Sequence, residues 1–177
     1  MRARRPRRAG RDRVLDAGGA RAVALELLSR KAWTRRDLAA RLRRRGAPGA
    51  VAAAVVADLE ARGWIDDRAF ATAWAETRAR GRGYGSRRLR QELLARGVAR
   101  PLAEAAVREA FAEASEEARA RAVAARRLPL LRRSDPAQAA RRLAGYLERR
   151  GYPAGVVRRV VREALGVTPG GDAADGD

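Results

Sequence analysis

From Ala20 onward the apolar residues recur at helical spacing, and strand-like alternation is essentially absent. Val23 with Leu27, and Ala24 with Leu28, stand four apart and mark a first amphipathic helix. Thr34, followed three residues later by Asp37, is a capping signal for a second. Leu38 and Leu42 share one face of that helix, and Arg41, Arg43, Arg44 and Arg45 fill the others. Gly46 is its stop residue. Pro48 sits near the start of a third helix, where proline is tolerated. The stripe of this third helix is Val51, Val55 and Leu59, and it ends at Gly63.

The order then recurs. Asp66 is placed to cap a helix beginning near Arg68, with Phe70, Ala73, Trp74 and Thr77 as its expected buried face. Leu89, Leu93 and Gly97 repeat Leu38, Leu42 and Gly46, and Pro101 opens a helix with Leu102, Ala106 and Phe111. From about Ser115 the pattern comes a third time, with Leu143, Leu147 and Gly151, and then Pro153 leading into Val156, Val160 and Val161. An irregular connection, LPLLRRSDP, spans residues 128–136 inside this last copy. The three stop glycines are 51 and 54 residues apart. Five residues beyond them stand Val51, Leu102 and Val156, and ten beyond stand Val56, Val107 and Val161. One apolar match is cheap in so aliphatic a chain, but the joint recurrence is not. It predicts an all-α protein of three tandem three-helix repeats forming an elongated, curved helical body. The expected boundaries are a disordered Arg-rich arm over 1–19, repeats over 20–65, 66–112 and 113–165, and an acidic disordered tail over 166–177.

Composition sharpens this picture. Of 177 residues 46% are apolar but only 5% aromatic, so the cores should be thin and built of Ala, Leu and Val. Trp33, Trp64, Trp74 and Phe70 are then expected to fill gaps between helices. The formal charge is +19, carried almost wholly by arginine, Lys31 being the single lysine. Such a surface favours a polyanion, nucleic acid or an acidic protein face. Cysteine and histidine are both absent, which argues against zinc sites, thiol nucleophiles and most acid–base enzymes. The longest apolar run, Ala50 to Ala57, is eight residues and too short to span a bilayer. No secretory signal is recognisable, and a cytoplasmic monomer is expected.

Candidate chemistry is sparse. Asp66 and Asp67 are adjacent, so their carboxylates diverge, and capping a helix suits them better than catalysis. Gly81, Gly83 and Gly85 alternate in RARGRGYGSRR, yet no strand precedes them and no Lys-Ser/Thr pair follows, so a nucleotide triphosphate loop is not indicated. The same stretch suits a contact surface better. Arg78, Arg80, Arg82, Arg87, Arg88 and Arg90 surround Tyr84, guanidinium groups bridge phosphates or carboxylates, and a tyrosine ring stacks on a base or fills a pocket. The glycines would let the backbone approach a partner closely. No catalytic, cofactor or metal residue is assigned.

The run G-W-I-D-D-R-A-F-A, residues 63–71, resembles the Gly-aromatic-aliphatic-Asp-Asp-x-x-Phe-Ala signature of the RecX family, bacterial regulators of the RecA recombinase. The following R-x-R-G-x-G-x-x-x-L-x-x-E-L-x-x-x-G-V, residues 80–98, resembles that family's next segment, and A-L-x-L-L-S-R-K-x-W-T-R-x-D-L-x-x-x-L-x-x-x-G, residues 24–46, its first repeat. The resemblance covers about residues 20–165; the third repeat is degenerate and matches mainly at Leu143, Leu147, Tyr152 and the last helix. It implies three tandem three-helix modules and a non-enzymatic modulator lying in the groove of the RecA–DNA filament, where it would hinder ATP turnover and strand exchange. The motif positions carried over are Gly63, Asp66, Asp67, Phe70, Ala71, Gly85, Leu89, Leu93 and Gly97, expected to be mostly fold determinants. The partners implied are the RecA filament with single- and double-stranded DNA. The competing reading is a general basic helical DNA-binding protein with no recombinase target, motivated by the arginine excess alone.

Overall fold

The computed structural model describes residues 14–131 and 134–166. Among them are nine α-helices, one short 3-10 turn and no strand. The chain divides into two compact units, residues 1–67 and 68–177. The arginine-rich stretch through residue 13 and the acidic stretch from residue 167 lie outside the described residues.

The first unit holds α1 (Ala17–Arg30), α2 (Arg35–Arg44) and α3 (Gly49–Ala61). Within the span expected to be the arm, 1–19, α1 already begins at Ala17. Asp16 caps α1 by accepting the Gly19 N–H at 2.7 Å, and the Leu15 N–H donates to the Gly46 carbonyl at 3.0 Å. Gly18 and Gly19 hide this start, since glycine is a poor helix former whose place here rests on the cap and on Ala20 behind it. Thr34 caps α2 as expected, accepting the Asp37 N–H at 3.1 Å. The core is Ala20, Ala24, Leu27, Leu38, Leu42, Ala47, Ala52, Val55, Val56, Leu59 and Ile65.

The second unit continues with α4 (Asp67–Arg82, opening at the division), α5 (Ser86–Ala95), α6 (Arg100–Ala110), α7 (Glu116–Arg127), the 3-10 turn Leu128–Leu131, α8 (Pro136–Arg149) and α9 (Ala154–Leu165). It contains two hydrophobic clusters, one centred on Leu89 and Leu93, the other on Leu143, Leu147 and Tyr152. The buried face of α4 is Ala71, Ala75 and Ala79, while Phe70 and Trp74 are half-buried and Ala73 and Thr77 exposed. The expected face is one residue out of phase. Alanines at i, i+4 spacing form a narrow buried stripe along α4, and the two half-buried rings flank that stripe.

The leucine pair and its glycine have the same geometry three times. Leu38, Leu42, Leu89, Leu93, Leu143 and Leu147 are all fully buried. Gly46, Gly97 and Gly151 have φ of 96°, 81° and 87°. In each copy the residue after the glycine donates its N–H to the carbonyl of the second leucine: Ala47 to Leu42 at 3.1 Å, Val98 to Leu93 at 3.1 Å, Tyr152 to Leu147 at 3.2 Å. The glycine N–H bonds three residues back each time. This double closure satisfies carbonyls at the helix end and needs a left-handed residue there, which glycine supplies without strain.

Tyr152 is 1% exposed and its hydroxyl has no hydrogen-bond partner among the described residues. Burial pushes its pKa up from 10.0 to about 12. An unfolded tyrosine ionises near 10 and the folded one near 12, so the stability linked to the neutral ring is complete below pH 10 and is lost as pH rises through 12. Tyr152→Phe removes this dependence and leaves no donor or acceptor wanting. Urea melts from about pH 8 to about pH 11 should show the natural chain losing about 1 kcal/mol more than the variant at the alkaline end; parallel curves would refute the assignment.

Candidate anion-binding surface

The signature region has a defined place for each motif residue. Gly63, φ 74°, closes α3 in the same manner as the three repeat glycines, with the Trp64 N–H on the Leu59 carbonyl at 2.9 Å. Trp64 itself is 59% exposed, so, contrary to expectation, it fills no gap between helices. Its neighbour Ile65 takes the buried position instead. Asp66 immediately precedes α4. The Asp67 carboxylate accepts the Arg35 N–H at 2.9 Å, at the first residue of α2, where the positive end of the helix favours an anion. Burial raises the Asp67 pKa, while that N–H and the Arg35 charge oppose the rise. Phe70 stacks on Trp74 with centroids 5.3 Å apart, Ala71 is fully buried, and Leu89, Leu93 and Gly97 form the second copy of the helix-end motif.

The arginines expected to surround Tyr84 fall into distinct groups. Gly81 and Arg82 belong to α4, so Arg78, Arg80 and Arg82 project from a helix and not from a loop. Arg78 lies 3.1 Å over the Trp74 ring and pairs with Glu92 at 3.3 Å; partial burial lowers its pKa, but it remains a cation. Arg80 pairs with Glu113 at 2.6 Å. Arg88 covers Tyr84 at 3.8 Å, pairs with Glu92 at 3.1 Å and donates to the Arg149 carbonyl at 3.3 Å. Arg90 lines a cavity of about 530 Å³ together with Glu104, Arg108, Phe111 and Glu116, a surface of mixed sign. Arg87 is exposed.

Gly85 is packed against the chain's own backbone. The Gly85 N–H donates to the Arg150 carbonyl at 2.8 Å, and the Arg87 N–H to the Gly151 carbonyl at 3.0 Å. A Cβ on Gly85 would stand 2.5 Å from the Gly151 oxygen and from the Tyr152 nitrogen. The close backbone approach expected here is therefore to the chain's own third repeat. The Arg150 guanidinium also donates to the Arg82 carbonyl at the end of α4, and Glu116 accepts the Ser86 N–H at 2.6 Å.

This seam brings together what no local pattern announces. Arg82 and Tyr84 meet Val123 and Arg126 of α7, and Tyr146 and Arg150 at the end of α8, around a cavity of about 400 Å³ that Gly81 and Gly83 also line. Arg150 stands 4.7 Å and Arg127 5.1 Å from the centre of the Tyr146 ring. No carboxylate lines this cavity. Sequence reading misses Arg126, Tyr146 and Arg150. The available signal is Gly85, the N-cap of α5, which has an ordinary φ of −84° and where a Cβ would meet the Gly151 carbonyl. Among the described residues no cluster of three potential metal ligands occurs, and no helix is long and apolar enough to cross a membrane.

Comparison with known proteins follows the same three-part division. Family models described as the first, second and third three-helix domains of RecX match residues 20–59, 66–107 and 115–161. A protein named regulatory protein RecX from Streptomyces coelicolor is 45% identical over 82% of this chain and 77% of its own length. One of the same name from Thermus thermophilus is 44% identical over 81% of this chain and 90% of its own. The crystal structure of RecX from Lactobacillus salivarius has the same fold, with a TM-score of 0.75 at 16% identity, covering 86% of this chain and 98% of that one. With all three modules matched in order and a relative sharing 45% of residues over most of its length, the chain belongs to the RecX family of regulatory proteins.

Proposed function

We propose that this protein is a negative regulator of RecA that binds in the groove of the RecA–DNA filament and inhibits its ATPase and strand-exchange activity. The observation that carries the reading is membership of the RecX family through all three helical modules. The charge of +19 supports it, since a nucleoprotein filament is a polyanion. On this reading the chain works in the cytoplasm as a monomer, catalyses nothing, and acts by biasing the state of a larger polymer. The test is RecA ATPase on single-stranded DNA with the protein added, together with co-sedimentation. A lowered rate with the protein in the filament pellet is expected; an unchanged rate with no co-sedimentation defeats the proposal.

A second reading, a basic DNA-binding protein without a recombinase target, draws on the arginines grouped with tyrosines around the 400 Å³ cavity. It predicts salt-sensitive binding to bare DNA that RecA does not enhance. Affinities for bare DNA and for filament at one salt concentration separate the two.

Among the arginines first expected at the interface, Arg80 and Arg88 hold carboxylates within the chain, so their removal mixes stability with binding. Arg82 and Arg87 are the cleaner pair. Arg82→Ala with Arg87→Ala should leave thermal melting unchanged and weaken filament or DNA binding. The slope of log affinity against log salt should become shallower by about one for each phosphate that is no longer neutralised. An unaltered affinity would remove both from the interface.

A further inference from the structure

We infer that the cavity between α4, α7 and α8 is a binding site for a single nucleotide unit, its phosphate held by Arg82 and Arg126 and its base lying against the planar groups of Tyr84 and Tyr146. This does not depend on regulation of a recombinase; it deepens the DNA-binding reading of the same cavity by assigning it a defined ligand unit. The first ground is charge. Many arginines of the second unit are matched to carboxylates: Arg78 and Arg88 to Glu92, Arg80 to Glu113, Arg121 to Glu163, Arg159 to Glu117. Arg82, Arg126 and Arg150 line one cavity with no carboxylate in its wall. Gathering like charges around a concave surface is unfavourable unless an anion relieves it.

The second ground is the kind of anion. A carboxylate or free phosphate asks only for guanidinium donors. This wall adds two tyrosine rings, with Arg88 3.8 Å over Tyr84 and Arg150 4.7 Å over Tyr146. Phenol rings and guanidinium planes are the surfaces on which unpaired bases stack. The third ground is size. A volume of about 400 Å³ is at the small end of ligand sites, too roomy for a lone phosphate and suited to one nucleotide. Arg150 is already committed to the Arg82 carbonyl, which fixes its position, whereas the exposed guanidiniums of Arg82 and Arg126 are left to the ligand.

The test uses the full chain without RecA, titrated calorimetrically with inorganic phosphate, thymidine monophosphate, a short oligothymidylate and an oligoglutamate. Arg82→Ala and Arg126→Ala are compared with Arg158→Ala, an equal charge change on an exposed residue of α9 outside the cavity. The nucleotide or the oligonucleotide should bind more tightly than phosphate. Each cavity variant should lose about tenfold or more in affinity, the scale of one charge-assisted contact, against less than about threefold for Arg158→Ala. Binding of the free monophosphate assigns a soluble nucleotide; Arg126-dependent binding of the oligonucleotide alone assigns a unit of a strand. Either supports the site. Equal losses in all three variants, phosphate binding as well as the nucleotides, or oligoglutamate competing with the same arginine dependence would overturn it. Because no filament is present, a failure here leaves the ATPase result untouched.

Discussion

Gly151→Ala is expected to destabilise the second unit by about 3 kcal/mol or more, from two terms that act together. Gly151 has φ 87°, a region costing an L-residue about 1–2 kcal/mol. Its new Cβ would also meet the Cβ of Arg88, with the Arg88 nitrogen at 2.5 Å and Cα at 2.9 Å. The nitrogen and Cα belong to the backbone at the start of α5, held by the Gly85 and Arg87 hydrogen bonds, and the Cβ is fixed to them, so none can swing aside as the far end of a flexible side chain does. Two companions separate the terms. Gly63→Ala has φ 74° and open space around it, so it should cost only the conformational part, about 1 kcal/mol. Gly85→Ala has an ordinary φ of −84° and a Cβ pressed on the Gly151 carbonyl, so it should cost only the packing part, about 1–3 kcal/mol. Urea denaturation followed by helix signal measures all three. Gly151→Ala no worse than Gly63→Ala would mean that the seam between α5 and the end of α8 is loose.

These glycines also mark how far the chain can be read without coordinates. The repeat is legible because each copy writes its signal locally: two leucines four apart, a glycine four further on, an apolar residue next. Helix periodicity and a left-handed stop are properties of a few consecutive residues, and Thr34 caps α2 where the local rule puts it. Two kinds of feature are not legible. The phase of α4 goes wrong because the large rings of Phe70 and Trp74 draw the expected stripe onto themselves, although the residues buried are the small ones, Ala71, Ala75 and Ala79. The partners of the arginines are invisible for another reason. Whether Arg88 faces solvent or Glu92 is settled by side-chain geometry, and whether Arg82 meets Arg126 is settled by where distant helices pack. Composition counts the charges without showing which are already spoken for within the fold.

Trp74→Ala should lower stability by about 3 kcal/mol, at the low end for losing a tryptophan because the ring is half-buried. The ring joins four groups. Phe70 stacks on it at 5.3 Å, Arg78 and Arg96 stand 3.1 Å and 3.8 Å from its centre, and its N–H reaches Glu92 at 3.1 Å. Removing it strips apolar cover from the cluster around Leu89 and Leu93, and takes the aromatic face from two guanidiniums that share it. Glu92 keeps Arg78 and Arg88, which limits the polar part of the loss. Trp74→Phe retains a ring under the cations and gives up mainly the bond to Glu92, so about 1 kcal/mol is expected, within the usual range for one hydrogen bond. Trp64→Ala is the contrast: at 59% exposure it should change stability by no more than about 0.5 kcal/mol. Equal effects at the two tryptophans would show that the Trp74 cluster contributes no more than an exposed side chain.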